Sequence, residues 1–220
     1  MDKNLNELLK WSIEAQTASE DRTGNAQPTT QLTPEVLASL LGGPSDAELM
    51  VQSMQVITAP DPSIPLDDRL TAFDNFEQLI ESLDNANNMV TLKLWPPLLS
   101  MLAHDEAELR RYAAWCIGTA VQNNEKSQAG LLDAGGLPGL VDMATKPAEK
   151  EAVRRKAIYA LSSACRNYQP AMDIVAAELE KKGTRKEVDG KVDATNMDAV
   201  DEVMNGLKNK IKEDAANAAA

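Results

Sequence analysis

Nucleophilic, acid–base and metal chemistry draw on a small set of side chains. Of the histidines and cysteines in that set, this chain has only His104, Cys116 and Cys165. A catalytic cysteine needs an imidazole within hydrogen-bond reach and a third group to orient it. His104, in MLAHDEAELRR, is the only imidazole, and Cys116 follows in RRYAAWCIGTAVQNN among small and apolar residues. A tetrahedral metal site needs four ligands, or three and a water. One histidine and two cysteines far apart in sequence do not provide them. The 34 acidic residues form no HExxH pattern and no EF-hand loop. GLLDAGGLPG is rich in glycine but lacks the Lys-Ser/Thr ending of a phosphate-binding loop. Its Gly135-Gly136 pair reads instead as a helix stop and tight turn, with Pro138 opening the next helix. No catalytic residue, metal or cofactor is expected, and function falls to a surface.

That surface has to be carried by helices. Hydrophobic residues make up 43% of the chain and aromatics only 4%. Ala and Leu dominate, and they favour helix over a sandwich or barrel. The formal net charge is -12, with the excess of acid in the flanks: residues 1–100 hold 15 acidic and 5 basic residues, whereas 101–170 hold 8 and 9. Such a chain repels phosphates, so neither nucleic acid nor an anionic membrane is an expected partner. Two cysteines make no disulfide framework. The opening MDKNLNELLKW has no secretory pattern, and no apolar run is long enough to span a bilayer. A reduced, cytoplasmic setting is expected.

Self-similarity sets the architecture. At an offset of 44, LRRYAAWCIGTAVQN lies over VRRKAIYALSSACRN. Arg110-Arg111 meets Arg154-Arg155, Trp115 meets Tyr159, Cys116 meets Ala160 and Asn123 meets Asn167. At an offset of 42, Arg69 meets Arg111, Phe73 meets Trp115, and the Trp95-Pro96-Pro97 segment meets Leu137-Pro138-Gly139. This period suits a two- or three-helix solenoid unit whose apolar face is buried only by stacking on its neighbours. Cys116 is therefore expected to be a buried packing residue. Four regions are expected: 1–43, an amino-terminal segment with short helices; 44–65, a helix and Pro-rich connector; 66–214, the repeat core; and 215–220, a frayed tail. Asp105 is expected to cap the helix that carries Cys116, with Glu108 three residues on. An amphipathic helix on Met197, Val200, Val203, Met204, Leu207 and Ile211 is expected to close the stack.

One helix face repeats in type. The row Arg111, Trp115, Thr119, Asn123 recurs as Arg155, Tyr159, Ser163, Asn167, and earlier as Arg69, Phe73, Glu77, Glu81. Residues four apart share a helix face. Each row sets an aromatic among polar residues. It reads either as packing at the repeat junctions or as a ladder that anchors a partner.

The copies resemble the armadillo repeat in LPGLVDMA, VRRKAIYALSSA and NNEKSQAGLLDAGGLP. The resemblance implies an all-α armadillo solenoid with a helical amino-terminal region and an atypical carboxy-terminal capping helix. Where many armadillo repeats carry a partner-reading Asn, this chain has Thr119 and Ser163. A second resemblance spans nearly the whole chain. MDKNLNELLKWSIE, LDNANNMVTLKLWPPLLSML and ELRRYAAWCIGTAVQNN are similar to the fungal nucleotide exchange factors of the 70-kDa heat-shock chaperone. This implies a monomer that grips lobe II of the chaperone's nucleotide-binding domain with its concave face, so that ADP and then substrate leave. It also implies a substrate-release role for the amino-terminal segment around Leu5, Leu8, Leu9, Trp11 and Ile13. An armadillo scaffold or peptide-binding adaptor without exchange activity is the alternative.

Overall fold

Proline and paired acids mark where the first helices begin. Asp46–Thr58 (α1) carries Asp46 and Glu48 in its first turn, and Leu66–Ile80 (α2) follows Pro65 with Asp67 and Asp68 in its first turn. Negative charge there complements the helix dipole. The computed structural model describes residues 43–184 and 191–218, all helix, turn or loop. Residues 1–42, in which the sequence leads one to expect short helices, lie outside the described residues.

Two three-helix units follow: Leu83–Asn88 (α3), Trp95–Ser100 (α4) and Ala107–Val121 (α5), then Glu125–Asp133 (α6), Gly136–Thr145 (α7) and Glu151–Cys165 (α8). Gln169–Lys181 (α9) and Met197–Ala218 (α10) complete the order. The third helices stack side by side, α5 packing against both α2 and α8. Small residues make that approach possible. Ala113, Ala114, Cys116, Gly118 and Ala120 are all buried on α5, as are Ala157, Ala160 and Ala164 on α8.

The junctions repeat for local reasons. Gly135 takes a left-handed φ of 71° between α6 and α7, which glycine adopts without a Cβ clash. Asn123 and Asn167 take φ of 51° and 57° just past α5 and α8, a conformation that asparagine tolerates better than most residues. Asn124 then caps α6, its side chain accepting from the Ser127 N–H at 3.3 Å.

Two sequence readings change. The cap of α5 is Glu106, whose side chain accepts from the Glu108 N–H, and Asp105 does not fill that place. His104 Nδ1 accepts the Glu106 N–H at 2.9 Å, and Arg110 donates to the His104 and Asp105 carbonyls. These bonds pin the approach so that the extended residue falls at Glu106. At the other end, helical geometry runs through Ala218, past the tail boundary expected after residue 214. Val200, Met204, Leu207 and Ile211 of α10 are buried, and α10 packs on α8.

The Arg pairs divide their labour. The first member of each pair points inward. Arg110 forms a two-point bond to Glu149, in the turn before α8, Nε to Oε2 and NH2 to Oε1, both at 2.7 Å. Arg154 is 2% exposed, donates from Nε to the Ala144 carbonyl, and places NH2 2.9 Å from Asp214 Oδ2 of α10. Each ties its helix to the next unit or to the cap. The second members, Arg111 and Arg155, lie partly or fully exposed.

Candidate partner-binding face

The outward faces of α2, α5 and α8 set the predicted row in place, and the row does not behave uniformly. Phe73 is fully buried. It meets the Tyr112 ring at a centroid distance of 5.8 Å, and Tyr112 meets Trp115 at 5.5 Å. An aromatic seam therefore runs from core to surface, from Phe73 through Tyr112 to the half-buried Trp115.

Beyond Trp115 the seam continues through a cation. Lys156 places its ammonium 4.5 Å from the Trp115 ring centroid and 5.3 Å from that of Tyr159. This geometry is attractive because the ring face carries negative charge. Tyr159 is held at its far end, its hydroxyl 3.2 Å from Gln122 Oε1 on the neighbouring unit. The ring lies on Gly118, where an added Cβ would overlap it and sit 3.2 Å from Ala160 Cα.

Other members of the row pair across or along helices. Thr119 Oγ1 donates to Glu77 Oε1 at 2.7 Å, joining α5 to α2. Arg111 turns back to Glu108 at 2.6 Å and lies over Tyr112, 4.7 Å from its centroid. Arg155 pairs with Glu151 at 2.6 Å, one turn earlier. Ser163 is buried, and its carbonyl accepts from Gln128 Nε2. Glu81 is exposed just past α2, and Asn123 and Asn167 are exposed at the left-handed helix ends. Arg69 bonds the Ala59 and Asp61 carbonyls of the Pro-rich connector. The structure thus brings Trp115, Tyr159, Thr119 and Glu77 into one connected patch, and it leaves Arg155 and Glu81 outside those contacts. Leu5, Leu8, Leu9, Trp11 and Ile13 lie outside the described residues.

Lys156, Tyr112 and Gln122 belong to this patch and were absent from the predicted row. A signal for two of them was present. In the 44-residue alignment Lys156 falls on Tyr112, and each stands three residues before the aromatic at 159 or 115. A helix face read at i,i+3 as well as i,i+4 includes both.

The thiols take no part in this face. Cys116 is fully buried, with Sγ 3.8 Å from the Phe73 carbonyl. Burial, then the nearby Glu77 and Asp74 carboxylates, push its pKa well above the usual thiol value. Burial alone pushes Cys165 up to about 12. Both remain protonated, and a thiol is a poor nucleophile in that form. Among the described residues, no helix is long and apolar enough to cross a membrane.

Comparison with known proteins supplies what geometry alone does not. Residues 5–89 match the family described as "Nucleotide exchange factor Fes1", and residues 85–176 match the "SIL1/FES1/HPBP1 C-terminal domain". The chain is 62% identical over 211 residues to the "Hsp70 nucleotide exchange factor FES1" of Gibberella zeae, covering 96% of this chain and 98% of that relative. It is 54% identical over 244 residues to the "Hsp70 nucleotide exchange factor fes-1" of Neurospora crassa, covering 96% and 99%. Among solved structures, it superposes on an engineered protein with a TM-score of 0.55 at 16% identity, over 87% of this chain and 76% of that one. That likeness bears on the fold alone and agrees with an all-α, armadillo-like stack. Taken with sequence identity over almost its full length, the matches place this chain in the Fes1 family of nucleotide exchange factors.

Proposed function

We propose that this chain binds the nucleotide-binding domain of an Hsp70 chaperone and promotes release of ADP, and with it release of bound substrate. The observation that carries the reading is 62% identity, over 96% of the chain, with a relative named for that activity. The role needs no catalytic residue of the chain's own. A protein that binds the open or nucleotide-free state of its partner better than the closed state lowers nucleotide affinity by the same factor. Each tenfold drop in ADP affinity requires about 1.4 kcal/mol of differential binding. A stiff stack of third helices, joined by the Arg110–Glu149 and Thr119–Glu77 bonds, is suited to favour one partner shape over another.

The contact surface in this proposal is the concave third-helix face, with Trp115, Tyr159, Thr119 and Glu77 near its centre and Arg111, Arg155, Asn123, Asn167, Ser163, Glu81 and Phe73 around or beneath them. The partner surface is lobe II of the chaperone domain. The exchange factor acts as a monomer in the cytoplasm, and its amino-terminal segment from Leu5 to Ile13 assists substrate release.

The test is stopped-flow release of a fluorescent ADP analogue from an Hsp70, with and without this protein. Acceleration that saturates with protein concentration is expected. An unchanged release rate at saturating protein overturns the reading, and retained binding without acceleration would favour an armadillo adaptor.

A further inference from the structure

The cations of the third-helix face differ in what they hold. Arg111 is bonded to Glu108 and Arg155 to Glu151, each within its own helix. Lys156 lies between the Trp115 and Tyr159 rings and makes no hydrogen bond or ion pair among the described residues. Glu77 attracts it from a distance, but Glu77 Oε1 already accepts from Thr119. Arg111 repels it.

The two rings fix where this ammonium sits. Trp115 rests against Tyr112, the two rings tilted at 58° with centroids 5.5 Å apart. Tyr159 is tethered to Gln122 and bedded on Gly118. A charge held in place before binding loses little freedom when a partner arrives. A cation left half-buried without an anion has given up part of its water shell for the weaker attraction of ring faces.

We infer that Lys156, framed by Trp115 and Tyr159, is the anchor on this face for a carboxylate of the partner, an Asp or Glu side chain on the chaperone domain. The inference rests on the proposed function and adds to it the chemistry of one contact. A carboxylate entering between the rings gains a charge-assisted bond without displacing the Glu108 or Glu151 partners of the neighbouring arginines. The ring edges then shield that bond from water, as the rims of energetic contacts do. Burial, and then Arg111, hold the Lys156 pKa below the ordinary lysine value. An incoming carboxylate relieves that cost.

The experiment is calorimetric binding of the full-length protein to the isolated nucleotide-binding domain of an Hsp70, at two or more salt concentrations. Lys156→Gln is expected to weaken binding on the order of tenfold, as loss of one partly desolvated charge pair does, and to flatten the salt dependence. Lys156→Arg should retain most of the affinity and the salt dependence. Wild-type affinity and salt dependence in Lys156→Gln overturn the inference. Equal losses in the Gln and Arg variants also overturn it, because they would mark a packing role. Absence of binding by the wild type overturns the functional reading itself, an outcome distinct from both. Thermal melts of all variants accompany the titrations, and Lys156→Glu paired with Asp→Lys or Glu→Lys changes on the chaperone surface gives a second route. Restored binding in one such pair supports the contact, and failure of every surface carboxylate to restore it overturns the contact.

Discussion

Gly118 and Tyr159 form one joint: the tyrosine ring lies across the glycine, in space that a methyl group would occupy. Gly118 on α5 thereby determines how a side chain of the next unit presents itself. The glycine has ordinary helical geometry, so its role here is room. Placing glycine in a helix interior costs about 1 kcal/mol relative to alanine, a cost offset by the close packing of α5 on α8. Gly118→Ala should therefore destabilise the fold by about 1–3 kcal/mol through overpacking despite its better helix propensity. It should also weaken chaperone binding, because the Tyr159 ring and the Gln122 bond must shift. Urea melts and binding titrations read the two effects separately.

The two-point Arg110–Glu149 bond ties α5 to the turn that leads into α8. Glu149 is only 4% exposed at its side chain, so removal of Arg110 strands a carboxylate. Arg110→Ala should cost about 2–4 kcal/mol, toward the range for a broken buried pair. The double variant Arg110→Ala with Glu149→Ala should cost less than the sum of the singles. Burial opposes the Glu149 charge, but the Arg110 guanidinium and the Lys150 N–H prevail and hold its pKa below the ordinary glutamate value. The stability from this pair is thus fully present above an unfolded pKa of about 4.3 and is lost as pH falls through the lower folded value. Urea melts from pH 7 downward should show that loss in the wild type, with a smaller loss in the double variant.

Much of this was legible in the sequence, and the unread part has physical causes. The helical class, the 42–44-residue period and the buried cysteine followed from spacing, because a repeated packing environment forces repeated residue types at fixed intervals. The roles within the Arg pairs did not follow. Arg110 and Arg111 are adjacent letters, but one faces Glu149 of the following unit and the other faces Glu108 of its own helix. Only the partner's position in space separates them. The place of Lys156 on the face is readable at i,i+3 spacing, but its setting is not, because that comes from two helices: the Trp115 ring lies on α5 and the Tyr159 ring on α8. The cap of α5 moved from Asp105 to Glu106 because His104 and Arg110 hold the preceding loop.

Arg154 and Asp214 fasten the last helix to the stack. Arg154 is almost wholly buried, and Asp214 also pairs with Lys210 one turn away at 2.9 Å. Asp214→Ala should destabilise the protein by about 2–4 kcal/mol, since it leaves the guanidinium buried without an anion. Lys210→Ala removes only an i,i+4 pair and should cost about 0.3–0.5 kcal/mol. Hydrogen exchange should show faster opening of α10 in the Asp214 variant, with α5 little changed.

Asn123 and Asn167 offer a test of whether a recurring residue serves the partner or the backbone. Both are exposed, and both stand at the end of a third helix with φ above 50°. That conformation costs an ordinary L-residue about 1–2 kcal/mol and costs glycine almost nothing. If the backbone is the reason for their recurrence, Asn123→Gly should leave stability nearly unchanged, and Asn123→Ala should lower it by about 1 kcal/mol. If the amide instead reads a partner, both substitutions should weaken binding alike. The left-handed geometry and the adjoining Asn124 cap of α6 favour the first outcome. We therefore expect Asn123→Gly and Asn167→Gly to bind the chaperone domain with wild-type affinity, and the alanine variants to lose stability without a specific loss of binding. A selective loss of affinity in the folded glycine variants would show that the two amides themselves read the partner.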